Sequence, residues 1–296
     1  MIVPKPHILS IHPTMQCDYH CHGCYLKRDE EPSRKEMAPQ FFVDLIHTAA
    51  KLGMKEVAIP ANYKYLEPDP KLAAHWDLDH NLVYYAILKT ETKKAGLEFT
   101  CTANYDFLKN YINTQPTLLD DVSLMSVSIN DYSTSTPEQK QEALEMLTKI
   151  KAKVKTVNCN ILVTPNMVKL LKAGLMKEIL DRVDTVYLLV EKPLVVPMDT
   201  IKGWLEGLEE FLDMIDDRIL LDSCLKSAFG LTDGICSKHQ LIYVNPYGEV
   251  KHCSYDGATM FELQKAEDLE VLYNEKYPQK QLFDCHLLHY GKGESQ

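Results

Sequence analysis

Cys17, Cys21 and Cys24 fall within eight residues, separated by three residues and then by two. Three thiols on so short a stretch can converge on one metal centre, because thiolates hold both iron-sulfur clusters and zinc. A four-iron cube held by only three cysteines keeps one iron open to an outside ligand, and an open coordination position separates a catalytic metal from a structural one. The same residues admit zinc with His20 or His22 as fourth ligand. Structural zinc favours paired ligand knuckles, whereas this trio follows a first strand and heads a β/α array, where such folds place active sites. The spacing therefore points to iron-sulfur chemistry.

A second group, Cys224, Cys236, Cys253 and Cys285, lies in the last quarter of the chain. About seventy residues make a small core, so a bound metal would explain the stability of this segment. Four cysteines suit a closed tetrahedral zinc site as well as a cluster, and His252 or His286 could join a zinc-stapled hairpin. Cys101 and Cys159 differ, because they alternate with polar neighbours on strand-like runs and read as small core side chains rather than as thiols that give hydrogen to a substrate radical.

The elements that must carry these residues show in the hydrophobic pattern. Short β-branched runs at 7–12, 56–60, 98–102, 122–129, 155–163 and 185–190 alternate with amphipathic segments, as in repeated β-α units around a parallel sheet. Thr136, Pro137 and Gln139 form a capping-box signature ahead of Leu144, Leu147 and Ile150. Gly53 closes the helix that carries Phe41, Phe42, Leu45 and Ile46. A hairpin is expected from 241–245 turning through Pro246, Tyr247 and Gly248.

Successive strand residues face opposite ways, so each strand splits into two rows. One row is polar throughout: Ser10, His12 and Thr14; Thr100, Thr102 and Asn104; Ser126, Ser128 and Asn130; Thr156, Asn158 and Asn160. Tyr187 and Glu191 continue it on the sixth strand. A closed barrel fills its interior with branched apolar side chains, and a doubly covered sheet reads apolar on both faces. The polar row instead predicts an open, partial barrel whose concave face is wet or holds a polar ligand; an amphipathic sheet facing solvent is the plainer alternative. The expected architecture is α/β, a partial six-stranded parallel (β/α) barrel over 1–220 with a small hairpin-containing, cluster-binding domain over 221–296.

The Cys17, Cys21, Cys24 spacing after a first strand resembles the radical S-adenosylmethionine superfamily, and the strand count and polar rows resemble its partial barrel. The resemblance implies a 4Fe-4S cluster on those cysteines, with S-adenosylmethionine chelated to the open iron through its amino and carboxyl groups. One electron then cleaves the sulfonium to a 5'-deoxyadenosyl radical that removes a hydrogen atom from substrate. It also implies cofactor contacts from Tyr25, Asn62, Thr102, Asn104, Ser128, Asn130, Asn158 and Asn160. Two departures stand out: Gly23 occupies the place of an aromatic before the third cysteine, with Tyr25 following, and Pro60, Ala61 and Asn62 replace a glycine-rich edge. Cys236, Gly248 and Cys253 resemble the twitch or SPASM appendage of the superfamily, which implies an auxiliary 4Fe-4S cluster on Cys224, Cys236, Cys253 and Cys285.

Composition narrows the partners. The formal net charge of -10 offers phosphate backbones no general attraction, so long nucleic acid is not expected. The first thirteen residues lack signal-peptide features and no apolar run reaches membrane length, so no membrane partner and a cytoplasmic location are expected. In that compartment nine cysteines suggest metal or redox chemistry over disulfides. Sulfonium cleavage needs a strong reductant, for which flavodoxin or ferredoxin is the expectation. The first strand comes almost at the start, leaving no room for a preceding peptide-recognition domain, which favours a small-molecule substrate over a ribosomal peptide. The rival that is no enzyme is a zinc-stabilised β/α scaffold or binding module.

Overall fold

The computed structural model describes residues 5–14, 17, 36–60, 80–115, 117–129, 132–190, 200–201, 203–204, 217–222, 240–251 and 259–276. It divides into two compact units, one of residues 1–20, 26–124 and 238–281 and the other of residues 21–25, 125–237 and 282–296.

In the first unit, β1 (Ile8–Ile11), β2 (Glu56–Pro60) and β3 (Glu98–Asn104) run parallel in sequence order. Their apolar rows are closed off completely: Leu9, Ile11, Val57, Ile59, Phe99, Cys101 and Ala103 are all buried. Helices α1 (Pro39–Lys51) and α2 (His80–Lys94) pack against one another in this unit, and α2 packs on β3. Phe42, Leu45, Ile46 and Ala49 supply the buried stripe of α1 at helical spacing. Pro39 starts α1, where its missing N–H costs nothing. Gly53 follows its end at φ 78°, a conformation that suits glycine.

The C-terminal hairpin belongs to this unit. Strand β8 (Leu241–Val244) pairs with β1 in parallel, Ile8 to Ile11 lying opposite Leu241 to Val244. Main-chain bonds from His7 N to the Gln240 carbonyl and from His12 N to the Val244 carbonyl, both 2.9 Å, extend the ladder at each end. Strands β9 (Glu249–Lys251) and β10 (Phe261–Glu262) follow antiparallel, giving the order β10-β9-β8-β1-β2-β3. The expected turn is present. Asn245 Oδ1 accepts from Tyr247 N and Glu249 N at 3.0 Å, and Gly248 takes φ 78°. A short helix at 268–271 then packs on α1 and buries Leu269.

The second unit carries β4 (Leu124–Ser128), β5 (Thr156–Leu162), β6 (Thr185–Leu189) and β7 (Ile219–Leu221), in that order, with parallel ladders from β5 to β6 and β6 to β7. Between β4 and β5 runs α4 (Pro137–Lys151), where Thr136 and Gln139 exchange both bonds of the capping box. Between β3 and β4 lies α3 (Tyr105–Tyr111). Strand β4 is shorter than the 122–129 run, because Asp121 at φ 61° makes a turn just before it. Strand β3 is longer than expected and reaches Asn104.

The protein is thus an α/β fold on an open, mainly parallel sheet, as a partial barrel requires. The parallel array continues beyond six strands, with β7 beside β6 and β8 beside β1. No helix among the described residues is long and apolar enough to cross a membrane.

Candidate metal and cofactor site

Cys17 follows the carboxyl end of β1, half-buried and in no disulfide. The segment that delivers it is tightly held. His12 and Thr14 are 4% and 0% exposed, Met37 N donates to the Pro13 carbonyl at 2.7 Å, and Thr14 forms an antiparallel bridge with Glu36. Residues 13–14 and 36–37 are therefore held together just beyond the carboxyl end of β1. Cys21, Cys24 and Tyr25 lie outside the described residues, as do Asn62, Asn130, Glu191, Cys224, Cys236, Cys253 and Cys285. Among the described residues no group of three metal-ligating side chains is assembled.

Cys17 differs from the two described thiols of the core. Cys101 and Cys159 are 2% and 0% exposed on the apolar rows of β3 and β5. Burial pushes the Cys101 thiol up to about 12, against the smaller lowering effects of its contact with Tyr85 and the charge of Lys89. Burial likewise raises Cys159. Burial keeps both protonated, as core thiols should be. The half-buried thiol at a strand's carboxyl end is the one whose setting fits metal ligation.

The polar rows hold in the structure. In the first unit the ladder sets Ser10 beside Ala58 and Ala58 beside Thr100, with Pro60 opposite Thr102 one layer further towards the carboxyl end. The Thr100 hydroxyl donates to Glu56 Oε1 at 2.7 Å, so the lower part of this row is bonded internally. Thr102, nearer the carboxyl end, is exposed. Asn104 is buried, and its Oδ1 accepts from Phe107 N at 2.8 Å as the N-cap of α3.

In the second unit Ser128, Asn160 and Tyr187 form a half-buried polar line. Asn160 lies opposite Tyr187 in the β5–β6 register, and Ile129 N donates to the Asn160 carbonyl at 3.2 Å. Asn158 sits one layer lower and is 6% exposed. A row of amides and hydroxyls above Val157, Cys159 and Val186 on the opposite face offers both donors and acceptors to a polar ligand.

Sequence reading did not single out Tyr243. It extends from β8 on the same face as Ser10, is 3% exposed, and meets the His12 ring edge-on, with centroids 4.4 Å apart and planes at 68°. The aromatic at the centre of the predicted hairpin strand was the available signal; the strand's partner was not.

This fold is shared with solved structures of proteins captured with S-adenosylmethionine or with a peptide. SuiB from Streptococcus suis bound to precursor peptide SuiA superposes with a TM-score of 0.63 at 15% identity, covering 97% of this chain and 71% of that one. SuiB bound to S-adenosylmethionine gives 0.61 at 13% identity, covering 93% and 67%. Native anSMEcpe with bound AdoMet gives 0.60 at 15% identity, covering 96% and 83%. No family model matches the chain, and no curated protein matches it in sequence.

Proposed function

We propose that the protein is a radical S-adenosylmethionine enzyme, with a 4Fe-4S cluster on Cys17, Cys21 and Cys24. The observation that carries this reading is Cys17 itself, a half-buried thiol leaving the first parallel strand of a fold shared with two proteins captured with S-adenosylmethionine. When bound, the cluster supplies the electron that cleaves the sulfonium, and a hydrogen atom then passes from substrate to the adenosyl fragment.

The chain's own residues would hold and orient. Thr102, Ser128, Asn158 and Asn160 present hydroxyl and amide groups along the polar rows, and with Tyr25, Asn62, Asn104 and Asn130 they are the proposed contacts of the cofactor. The apolar rows behind them keep water from the other face of the strands. Residues 221–296 are the proposed auxiliary segment, with a second 4Fe-4S cluster on Cys224, Cys236, Cys253 and Cys285. Four cysteine ligands would saturate that cluster and suit it to electron transfer or structure rather than to substrate ligation. Flavodoxin or ferredoxin is the proposed reductant.

For the substrate, SuiB was captured with a precursor peptide and anSMEcpe with the Cp18Cys peptide, which supports a peptide reading beside the small-molecule one. Anaerobic reconstitution tests the metal assignment. The expected result is a brown protein with roughly eight irons per chain, falling to roughly four in Cys17→Ala, and an electron paramagnetic resonance signal that changes when S-adenosylmethionine is added. A colourless protein with stoichiometric zinc would support the scaffold reading and overturn this one.

A further inference from the structure

We propose that Tyr243 and His12 are positioning residues for Cys17, so that the C-terminal hairpin, together with β1, fixes how the chain leaves the sheet towards that thiol. The inference rests on the reading of Cys17 as a cluster ligand and adds the residues that place it.

Strand β1 has four residues, too few to fix by itself how the chain leaves it. Its register is set on one side by β2, whose pairing to β1 covers Ile8 to Ser10 and stops there. On the other side β8 pairs along the whole strand through Ile11, and the Val244 carbonyl takes the amide of His12. The hairpin therefore supports β1 two residues further towards Cys17 than β2 does.

At that last step the side chains add to the ladder. His12 and Tyr243 stand on the same face of adjacent strands and pack edge to face, the geometry in which the positive edge of one ring meets the negative face of the other. Both are almost wholly buried, so neither ring can swing without displacing its neighbours. Pro13 follows directly and accepts the amide of Met37, and Thr14 bridges Glu36. The path from the hairpin is continuous: Tyr243, His12, then the Pro13–Met37 and Thr14–Glu36 pairs. A change at Tyr243 should reach these two pairs before it reaches the β2–β3 ladder.

The experiment compares full-length wild type with Tyr243→Leu, Tyr243→Phe and His12→Phe. It reads amide hydrogen exchange at Met37, bonded to the Pro13 carbonyl, against Glu98, bonded to the Lys55 carbonyl in the same unit. It also reads the resonance spectrum of the reduced, reconstituted protein. In Tyr243→Leu, exchange at Met37 should quicken at least tenfold while Glu98 is unchanged, and the g-values of the cluster should move. Tyr243→Phe and His12→Phe keep an aromatic edge and should restore the wild-type exchange. Should the leucine variant fail to fold, Tyr243→Met fills the volume without the ring and makes the same comparison. Unchanged Met37 exchange, or equal acceleration at Met37 and Glu98, would show Tyr243 to be an ordinary core residue and overturn the inference. The exchange reading needs no iron, so a wild type that binds none defeats the proposed function and leaves this test standing.

Discussion

A half-buried thiol and a fully buried one carry the same atoms, and burial decides what each can do. Cys101 and Cys159 were legible as core, because alternation along a strand tells which face a side chain takes. Asn104 shows the limit of that argument. It falls on the polar row, yet its carbonyl oxygen is engaged in capping α3, a role that its place three residues before Phe107 could have signalled. Asn104→Ala should lower stability by about 1 kcal/mol in urea unfolding, whereas Asn104→Asp, which caps equally well, should hold it. Loss of stability in both variants would show that the amide end matters as much as the cap. Gly248 is constrained more strongly, since a Cβ there would stand 2.5 Å from the Leu263 carbonyl oxygen at a φ that disfavours side chains. Gly248→Ala should cost roughly 2–4 kcal/mol, measured in the same way, and a near-neutral result would mean the hairpin shifts freely against residue 263.

Elements were read well where the signal is local. The capping box at Thr136 and the strand cores at 56–60 and 185–189 follow from a few adjacent residues, and the structure reproduces them. Pairing is not local, which is why the hairpin at 241–251 was foreseen as a hairpin but not as a partner of β1. Ionic contacts between elements are similarly hidden. Lys151 at the end of α4 bonds Asp184 just before β6, and Asp184 also accepts from Val157 N of β5 at 2.8 Å. Partial burial would raise the Asp184 carboxyl, but the Lys151 bond and the Val157 amide outweigh it and hold it below the usual range. A lowered folded-state value gives stability that is present above about pH 4 and is lost as pH falls through the folded value. With both side chains over a third exposed, screening limits the effect to under about 1 kcal/mol. Unfolding curves of wild type and Asp184→Asn should thus differ at pH 7 and converge near pH 2; a difference that persists in acid would place its source elsewhere.

At the scale of the molecule, alternating β and α segments with a polar row gave the class, an open and mainly parallel sheet, because those two periodicities leave few architectures. They could not show that β8 would lie parallel against β1 or that the 268–271 helix would pack on α1, since such neighbours are chosen by tertiary fit. The consequence is mechanical: within the first unit the C-terminal segment completes the sheet. A chain ending at residue 237 should lose cooperative thermal unfolding, followed by circular dichroism, through exposure of the buried Leu9 and Ile11 strand edge. A sharp, native-like transition in that shortened chain would show the hairpin to be a separable attachment. The likeness to SuiB and anSMEcpe at 15% identity fits the same view, because apolar rows and register can be kept while nearly every side chain changes.

The central proposal is that a cluster held by Cys17, Cys21 and Cys24 would supply the electron for reductive cleavage of S-adenosylmethionine, and the most direct measurement is 5'-deoxyadenosine formed by the reconstituted protein with dithionite under anaerobic conditions. The account predicts that wild type yields it and that Cys17→Ala, although folded, does not. Equal yields from wild type and Cys17→Ala, or no product from an iron-loaded wild type, would contradict it.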